Sequence, residues 1–344
     1  MTDQKNSSER STLADVARAA GVSPAAASLA IRGKPGVGAE TRRRVKQIAD
    51  DLGYASKPVL AEVDGPTVGL VVKSRPGEEE TTNSFYGPVI ARITEEAHRL
   101  GVDIRLASLL VDEHFQPLAE PALADDDSVD GLLVLGAYLT ERSADQLTAK
   151  PIVLVDGYCA QPDRFVSLVT DNRRGMRNAT AHVLDHGHER VLLVGANRYP
   201  SIAERRLGYL DALADADLEP LVIDGDHDGN RSQAIEVVDR LEADRSITAV
   251  VGVNDAVAVS VHQELQNRRI SVPDEVSVVG FDDIAMAAML VPGLDTCAVD
   301  KGAMGRLSLQ LLLYRIEHPH DAVHTTTLAT SLRRRGSVGP ARTA

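Results

Sequence analysis

The chain has 344 residues, 43% of them hydrophobic: ample material for a core, too long for one ordinary domain, and suited to a small head on a body of well over 200 residues. Its net charge of −13 is uneven, since residues 1–66 carry a net +2 and the other 278 a net −15, a balance that fits a protein touching phosphates with one end. No apolar run approaches the ~18 residues of a membrane span, the first residues hold no secretory signal, and two cysteines, Cys159 and Cys297, need no disulfide framework, so a cytoplasmic setting without a membrane partner is expected.

Thr12, followed three residues later by Asp15, reads as a capping-box start for a short helix. Leu13, Val16, Ala17 and Ala20 form its apolar stripe, and Gly21 ends it. Ser23-Pro24 opens a second helix as N-cap and first helical residue, continued by the Ala-rich stretch 25–30. A third helix presents Val45, Ile48, Ala49 and Leu52 on one side and stops at Gly53. Helix, short glycine-bearing turn, helix is the spacing of a helix-turn-helix, whose second helix enters the DNA major groove. The segment ASKPVLAEVDGP at 55–66 has the composition of a linker, and a flexible tether is its plain reading.

From Thr67 the pattern alternates. Apolar runs at 67–72, 103–108, 131–136, 151–156, 190–196, 247–253 and 276–282 read as strands buried on both faces. Helical stretches at 85–100, 174–186, 204–215, 230–243 and 255–267 separate them. Such alternation over ~260 residues means doubly wound α/β units, and the number of strands requires two parallel sheets. The expected organisation is an all-α head at 1–56, a linker at 57–66 and an α/β body at 67–335.

L-x-D-V-A-x-x-A-G-V-S at 13–23, T-R-x-R-V at 41–45 and L-G-Y at 52–54 resemble the head of the lactose-repressor (LacI/GalR) family of bacterial transcription regulators. The body carries the resemblance further, through N-S-F-Y at 83–86, T-D-N at 170–172, H-G-H-E-R at 186–190, R-x-x-G-Y at 205–209, V-N-D-A-V-A at 253–258 and V-P-D-E-V-S-V-V-G-F-D-D at 272–283. The resemblance implies a two-lobed periplasmic-binding-protein-like body with a ligand in the cleft. It places lobe 1 at about 67–162 and 297–322, and lobe 2 at about 163–296 and 323–335. It also implies a homodimer whose two heads bind a pseudo-palindromic double-stranded operator. On DNA the linker would fold as a hinge helix wedging Val63 into the minor groove.

By the same resemblance, DNA is met by Thr12, Leu13, Ser23, Pro24, Ala25, Ser28, Leu29, Arg32, Lys34, Arg42 and Val63. Pro24, Ala25 and Leu29 stand at base-reading positions and can make no bidentate hydrogen bond to a base, whereas Ser23, Ser28, Arg32, Lys34 and Arg42 suit phosphates. Ligands of open α/β sheets sit beyond the carboxyl ends of the strands. Asp156, Asn254 and Asp282 lie there, and Arg205 opens the helix after 190–196. These four match the family's polar clamp for a sugar or nucleoside-like effector, with Ser201 as a fifth contact and Phe85, Tyr86, Tyr138, Tyr199 and Phe281 as apolar walls.

Other chemistry finds little support. The chain has no G-x-S-x-G, H-E-x-x-H or P-loop motif, so no enzyme and no cofactor is expected. His182, His186 and His188 are spaced too unevenly to converge on a metal. D-G-D-H-D-G-N at 224–230 begins like a calcium loop, but Ile235 stands where the bidentate carboxylate belongs. The expected function is a DNA-binding repressor modulated by a small carbohydrate-like effector. The alternative is a soluble sugar-binding protein with weak or lost sequence-specific DNA binding.

Overall fold

The computed structural model describes residues 12–31, 37–52, 65–75, 84–112, 115–119, 123–145, 147, 150–225 and 228–342, which fall into two units divided between Asp64 and Gly65. The expected contributions of Arg32, Lys34, Gly53 and Val63 lie outside the described residues.

The first unit holds α1 (Leu13–Ala20), α2 (Pro24–Ile31) and α3 (Ala39–Asp51). The Thr12 hydroxyl accepts from the Asp15 amide at 3.3 Å and the Asp15 carboxylate accepts from the Thr12 amide at 3.0 Å, which satisfies two amides that a helix start leaves orphaned. Gly21 turns the chain with φ 64°, a conformation that costs a residue without Cβ little. Ser23 caps α2 by accepting from the Ala26 amide at 3.1 Å. The core is small and mostly alanine: Val16, Ala17, Ala20, Ala27, Ala30, Val45 and Ala49. Side chains this short let three short helices close on one another. Leu52 does not join them; it lies just past the end of α3 and is 40% exposed.

In the second unit the chain runs β1 (Thr67–Ser74), α4 (Tyr86–Leu100), β2 (Asp103–Leu110), β3 (Gly131–Leu135), β4 (Tyr138–Leu139), α5 (Glu141–Asp145), β5 (Ile152–Val155), β6 (Tyr158–Cys159) and β7 (Val166–Thr170). It continues through α6 (Asn172–Leu184), β8 (Val191–Ala196), α7 (Pro200–Asp215), β9 (Leu221–Asp224), α8 (Arg231–Ala243), β10 (Ala249–Gly252), α9 (Asp255–Asn267) and β11 (Ser277–Asp282). It closes with α10 (Ala285–Met289), β12 (Asp295–Val299), α11 (Lys301–Glu317), β13 (Thr325–Leu328) and β14 (Thr330–Arg333).

Among the described residues two six-stranded sheets result, ordered β13-β7-β5-β3-β1-β2 and β14-β12-β11-β10-β8-β9, with β4 and β6 as a separate pair. Every pairing is parallel except β12 with β14. β3 and β5 are buried along their whole length, as strands covered by helices on both faces must be.

The lobe boundaries expected from sequence need correcting. The chain leaves the first sheet after Thr170, returns after Val299 and crosses again at Ala329. β7 completes the first sheet before the chain departs, residues 297–299 belong to β12 inside the second sheet, and residues 325–328 form an edge strand of the first. These strands are short or polar, so no long apolar run marked them. Among the described residues, no helix is long and apolar enough to cross a membrane.

Candidate effector site and DNA-binding surface

The carboxyl ends of the two sheets supply the acidic groups. Just past the end of β5, Asp156 has φ 47°, and Asp282, closing β11, has φ 109°; side-chain-bearing residues rarely adopt this left-handed region, and backbone held there often serves a functional site. Asp156 is buried, and its Oδ2 accepts from the Tyr86 hydroxyl at 2.8 Å. Among the described residues its buried Oδ1 has no hydrogen-bond partner, an arrangement that costs free energy until something donates to it. Burial raises the carboxyl pKa of both aspartates, and the Arg205 guanidinium opposes the rise in each.

The R-x-x-G-Y spacing on α7 assigns one task to each residue. Arg205 reaches the cleft: Nη2 donates to Asp282 at 2.9 Å, Nη1 to the Val253 carbonyl at 2.9 Å and Nε to Asn172 Oδ1 at 2.8 Å. Gly208 faces α6, where a Cβ would stand 2.1 Å from the Arg173 carbonyl oxygen. Tyr209 is fully buried, its hydroxyl donating to the Val191 carbonyl at 2.8 Å and accepting from the Leu221 amide at 2.9 Å, so it ties α7 to β8 and β9. The guanidinium also lies 3.8 Å from the Phe281 ring centre. A planar cation with three fixed acceptors and a ring beneath it has almost no freedom left, which is the preorganisation that ligand recognition rewards.

An aromatic layer joins the lobes above this base. Tyr199, at the N-cap of α7, donates across to the Gly136 carbonyl in the other lobe at 2.8 Å. Its ring meets Phe115 edge-on at 4.6 Å and Tyr158 at 5.8 Å. The Lys73 ammonium, at the end of β1, sits 4.1 Å from the Phe115 ring and 5.5 Å from Tyr199. Burial and nearby Asp156 push the Tyr86 and Tyr199 hydroxyls well above their ordinary pKa, so they remain protonated donors.

The structure therefore brings together Asp156, Arg205, Asp282, Tyr86 and Tyr199. Asn254 caps α9 by accepting from the Val257 amide at 3.0 Å, and Ser201 is buried one turn before Arg205. Phe85 precedes α4, with its ring edge-on to Tyr86 at 5.1 Å and 5.8 Å from the Lys301 ammonium. Phe281 is not a cleft wall: it is completely buried beneath Arg205 and against α6, where a Cβ at Gly175 would approach its ring to 2.8 Å. Sequence reasoning missed Lys73, Phe115, Tyr158 and Asn172 as site residues. Asn172 had a visible signal in T-D-N; the others sit where no periodicity speaks.

The three histidines go separate ways. His182 pairs with buried Asp295 at 2.9 Å, His186 with the His182 carbonyl at 2.8 Å, and His188 with Thr248 at 2.8 Å and Ser277 at 3.0 Å. In the aspartate-rich loop, which lies partly outside the described residues, Asp224 pairs with Arg206 and Asp228 with Arg75. Cys159 and Cys297 are free thiols.

Asp255, first residue of α9, is fully buried, and it accepts from the Ile284 amide at 2.9 Å and the Thr296 hydroxyl at 2.6 Å. Desolvation, then repulsion from Asp282, pushes its carboxyl up to about 8 from an ordinary 3.8. The folded protein thus keeps a proton that the unfolded chain releases, so this contribution to stability is full below the ordinary value and is lost as pH rises toward about 8. Urea midpoints measured from pH 5 to pH 8 should fall, and Asp255→Asn should flatten that fall. Equal slopes for parent and variant would reject a proton on Asp255.

On the head, Thr12 and Ser23 serve as caps, Pro24 is exposed at the start of α2, and Ala25, Ser28 and Leu29 follow on that helix, with Leu13 opening α1. Arg42, in the first turns of α3, donates to the Val37 carbonyl at 3.3 Å.

Comparison with known proteins agrees with both units. A family model described as bacterial regulatory proteins, lacI family, matches residues 12–57, and one for a periplasmic binding protein-like domain matches residues 180–338. An HTH-type transcriptional repressor PurR of Photobacterium profundum is 30% identical over 89% of this chain and 92% of its own length. The ribose operon repressor of Haemophilus influenzae is 27% identical over 95% of this chain and 98% of its own length. The solved structure of a transcriptional regulator CelR–cellobiose complex, 26% identical, superposes with a TM-score of 0.67 over 95% of this chain and all of that one. With a capped three-helix head, a two-lobed α/β body and relatives that match along nearly their whole length, the chain belongs to the lacI family of bacterial regulatory proteins and is a DNA-binding transcriptional regulator.

Proposed function

We propose that the protein is a repressor whose operator affinity is set by a small carbohydrate-like effector held between Asp156, Arg205, Asn254 and Asp282, with Asn172 and Ser201 beside them. The observation that carries this reading is the buried, unpartnered Oδ1 of Asp156 among Tyr86, Tyr158 and Tyr199. A carboxylate oxygen asks for a donor, and aromatic faces suit the apolar side of a sugar ring. The cellobiose complex and the ribose operon repressor among its relatives support the same class. The chain then acts by binding and not by turnover.

Ligand in the cleft shifts the lobe arrangement, and the shift changes whether both heads of a homodimer can sit on a pseudo-palindromic operator. Met289 and Val291, 76% and 79% exposed, offer apolar surface for self-association, which light scattering of the purified protein tests. Val63 acts as the minor-groove wedge in this reading, and the proposed organisation is a head at 1–56, a hinge at 57–66 and the body beyond. A thermal-shift screen of sugars, nucleosides and purines tests the effector class. A sugar that raises the melting temperature is the expected result, because binding to the native state alone stabilises it; if only purines or nucleosides do so, the carbohydrate assignment falls.

The recognition helix favours modest DNA specificity. Pro24, Ala25 and Leu29 can contact a thymine methyl but form no paired hydrogen bonds to a base, each pair of which is worth about 1–3 kcal/mol of discrimination. Selection from random DNA should therefore return a loosely defined site with steep salt dependence. A strong G-rich motif read through α2 would contradict this. A recognition helix without base-reading side chains also favours a second reading, a sugar-binding protein with weak DNA specificity. A gel shift on DNA flanking its own gene separates the two.

A further inference from the structure

At the end of β5 opposite Asp156, where the strands of the first sheet begin, lies a second cavity of about 300 Å3. Lys150, Arg164 and Arg315 line it together with Leu147, Ile152 and Phe165, and among the described residues its lining contains no carboxylate. This concentration of positive charge sits in a body whose net charge is −15. The Lys150 ammonium donates to the carbonyl oxygens of Asp126 and Val129, the latter at 2.8 Å. Arg315 Nη1 donates to the carbonyls of Asp321 and His318. Both cations are thus held by neutral acceptors, which position a charge without cancelling it. Among the described residues, Arg164 is the one of the three with a carboxylate partner, Asp145 at 2.8 Å, whose side chain is 67% exposed. Nε and Nη2 of Arg315 and the third ammonium proton of Lys150 have no protein partner among the described residues.

We propose that this cavity is a second ligand site, separate from the cleft, for a small organic phosphate monoester. Two arginines and a lysine lining one space, with Nε and Nη2 of Arg315 left to donate, suit the oxygens and double charge of a phosphate group. Leu147, Ile152 and Phe165 supply an apolar wall for the carbon skeleton, which bare phosphate would leave unused. β5 has four residues, Ile152–Val155, so at ~3.3 Å per residue the cavity and Asp156 stand roughly 13 Å apart and can be filled together.

The test is a calorimetric titration of the full-length protein with phenyl phosphate, beside inorganic phosphate and phenol. Phenyl phosphate should bind, more tightly than inorganic phosphate, and phenol should not. Arg315→Gln and Arg164→Gln, one on the helix and one on the loop before β7, should each weaken phenyl phosphate about tenfold or more, with melting temperatures near the parent's. Arg205→Ala should bind phenyl phosphate as the parent does. The proposal is overturned if the parent does not bind phenyl phosphate, if both cavity variants bind it unchanged, or if Arg205→Ala loses it, which would place the anion in the cleft. It is overturned equally if Arg315→Gln lowers DNA affinity and its salt slope while leaving phenyl phosphate untouched, since the cations would then belong to DNA backbone contacts.

Discussion

Arg205→Ala is expected to cost about 2–4 kcal/mol of effector binding, a loss of roughly 30- to 900-fold, while the protein still folds and holds its operator. The size follows from what the truncation leaves behind. Asp282 loses a charged donor at 2.9 Å, Asn172 and the Val253 carbonyl lose theirs, and all three stay buried. Buried acceptors without donors cost more than the deleted bonds were worth. Operator binding survives because the head forms its own unit with its own core, Val16 to Ala49. Equilibrium titration of parent and variant with the sugar found by thermal shift measures the loss. An unchanged dissociation constant would remove Arg205 from the site.

The second large effect belongs to stability. Gly208→Ala should destabilise the body by about 3 kcal/mol, at the upper end of what one extra methyl group forced into a packed interior costs. A methyl group there would stand 2.1 Å from the Arg173 carbonyl oxygen and 2.9 Å from the Arg177 amide nitrogen. Both are backbone atoms of α6, so no side chain can swing aside and the helices must separate. Separation also stretches the surface pairs Arg173–Asp211 and Arg177–Asp215, which bridge the same two helices. The melting temperature of the body should drop by about 6–12 °C. Because Arg205 rides on the same helix, effector affinity should weaken with it. A variant that melts with the parent would show that α6 and α7 are not packed as closely as described.

How far the sequence spoke depended on where each residue sits. Among the interior strands, β1, β3, β5, β8, β10 and β11 carry apolar runs that announced them, whereas β7 and β12 did not stand out, and β2, read at 103–108 as buried on both faces, is an edge strand and mostly exposed. The edge strands β13 and β14 read TTTL and TSLR, alternating between half-buried and exposed, and polar residues at an edge leave no such run. That is why the lobe boundaries were drawn several residues early. α11 was missed for the opposite reason: its apolar residues spread around most of the helix, so no single face stood out. In the site, strand ends and R-x-x-G-Y pointed to Asp156, Asp282 and Arg205. Phe115 was out of reach, since it has φ 61° in an irregular stretch after β2 and comes to the cleft only through tertiary packing against Lys73 and Tyr199. Phe281 was found but misread, because sequence order places it beside Asp282 while strand alternation turns its ring beneath Arg205, on the buried side.

The most direct measurement is fluorescence anisotropy of labelled DNA from upstream of the protein's own gene, titrated with parent and Arg205→Ala, each with and without the stabilising sugar. Both proteins should bind the DNA, and the sugar should shift the parent's dissociation constant at least fivefold while leaving the variant's unmoved. A parent whose DNA affinity ignores the sugar, or a variant that responds as the parent does, would contradict it.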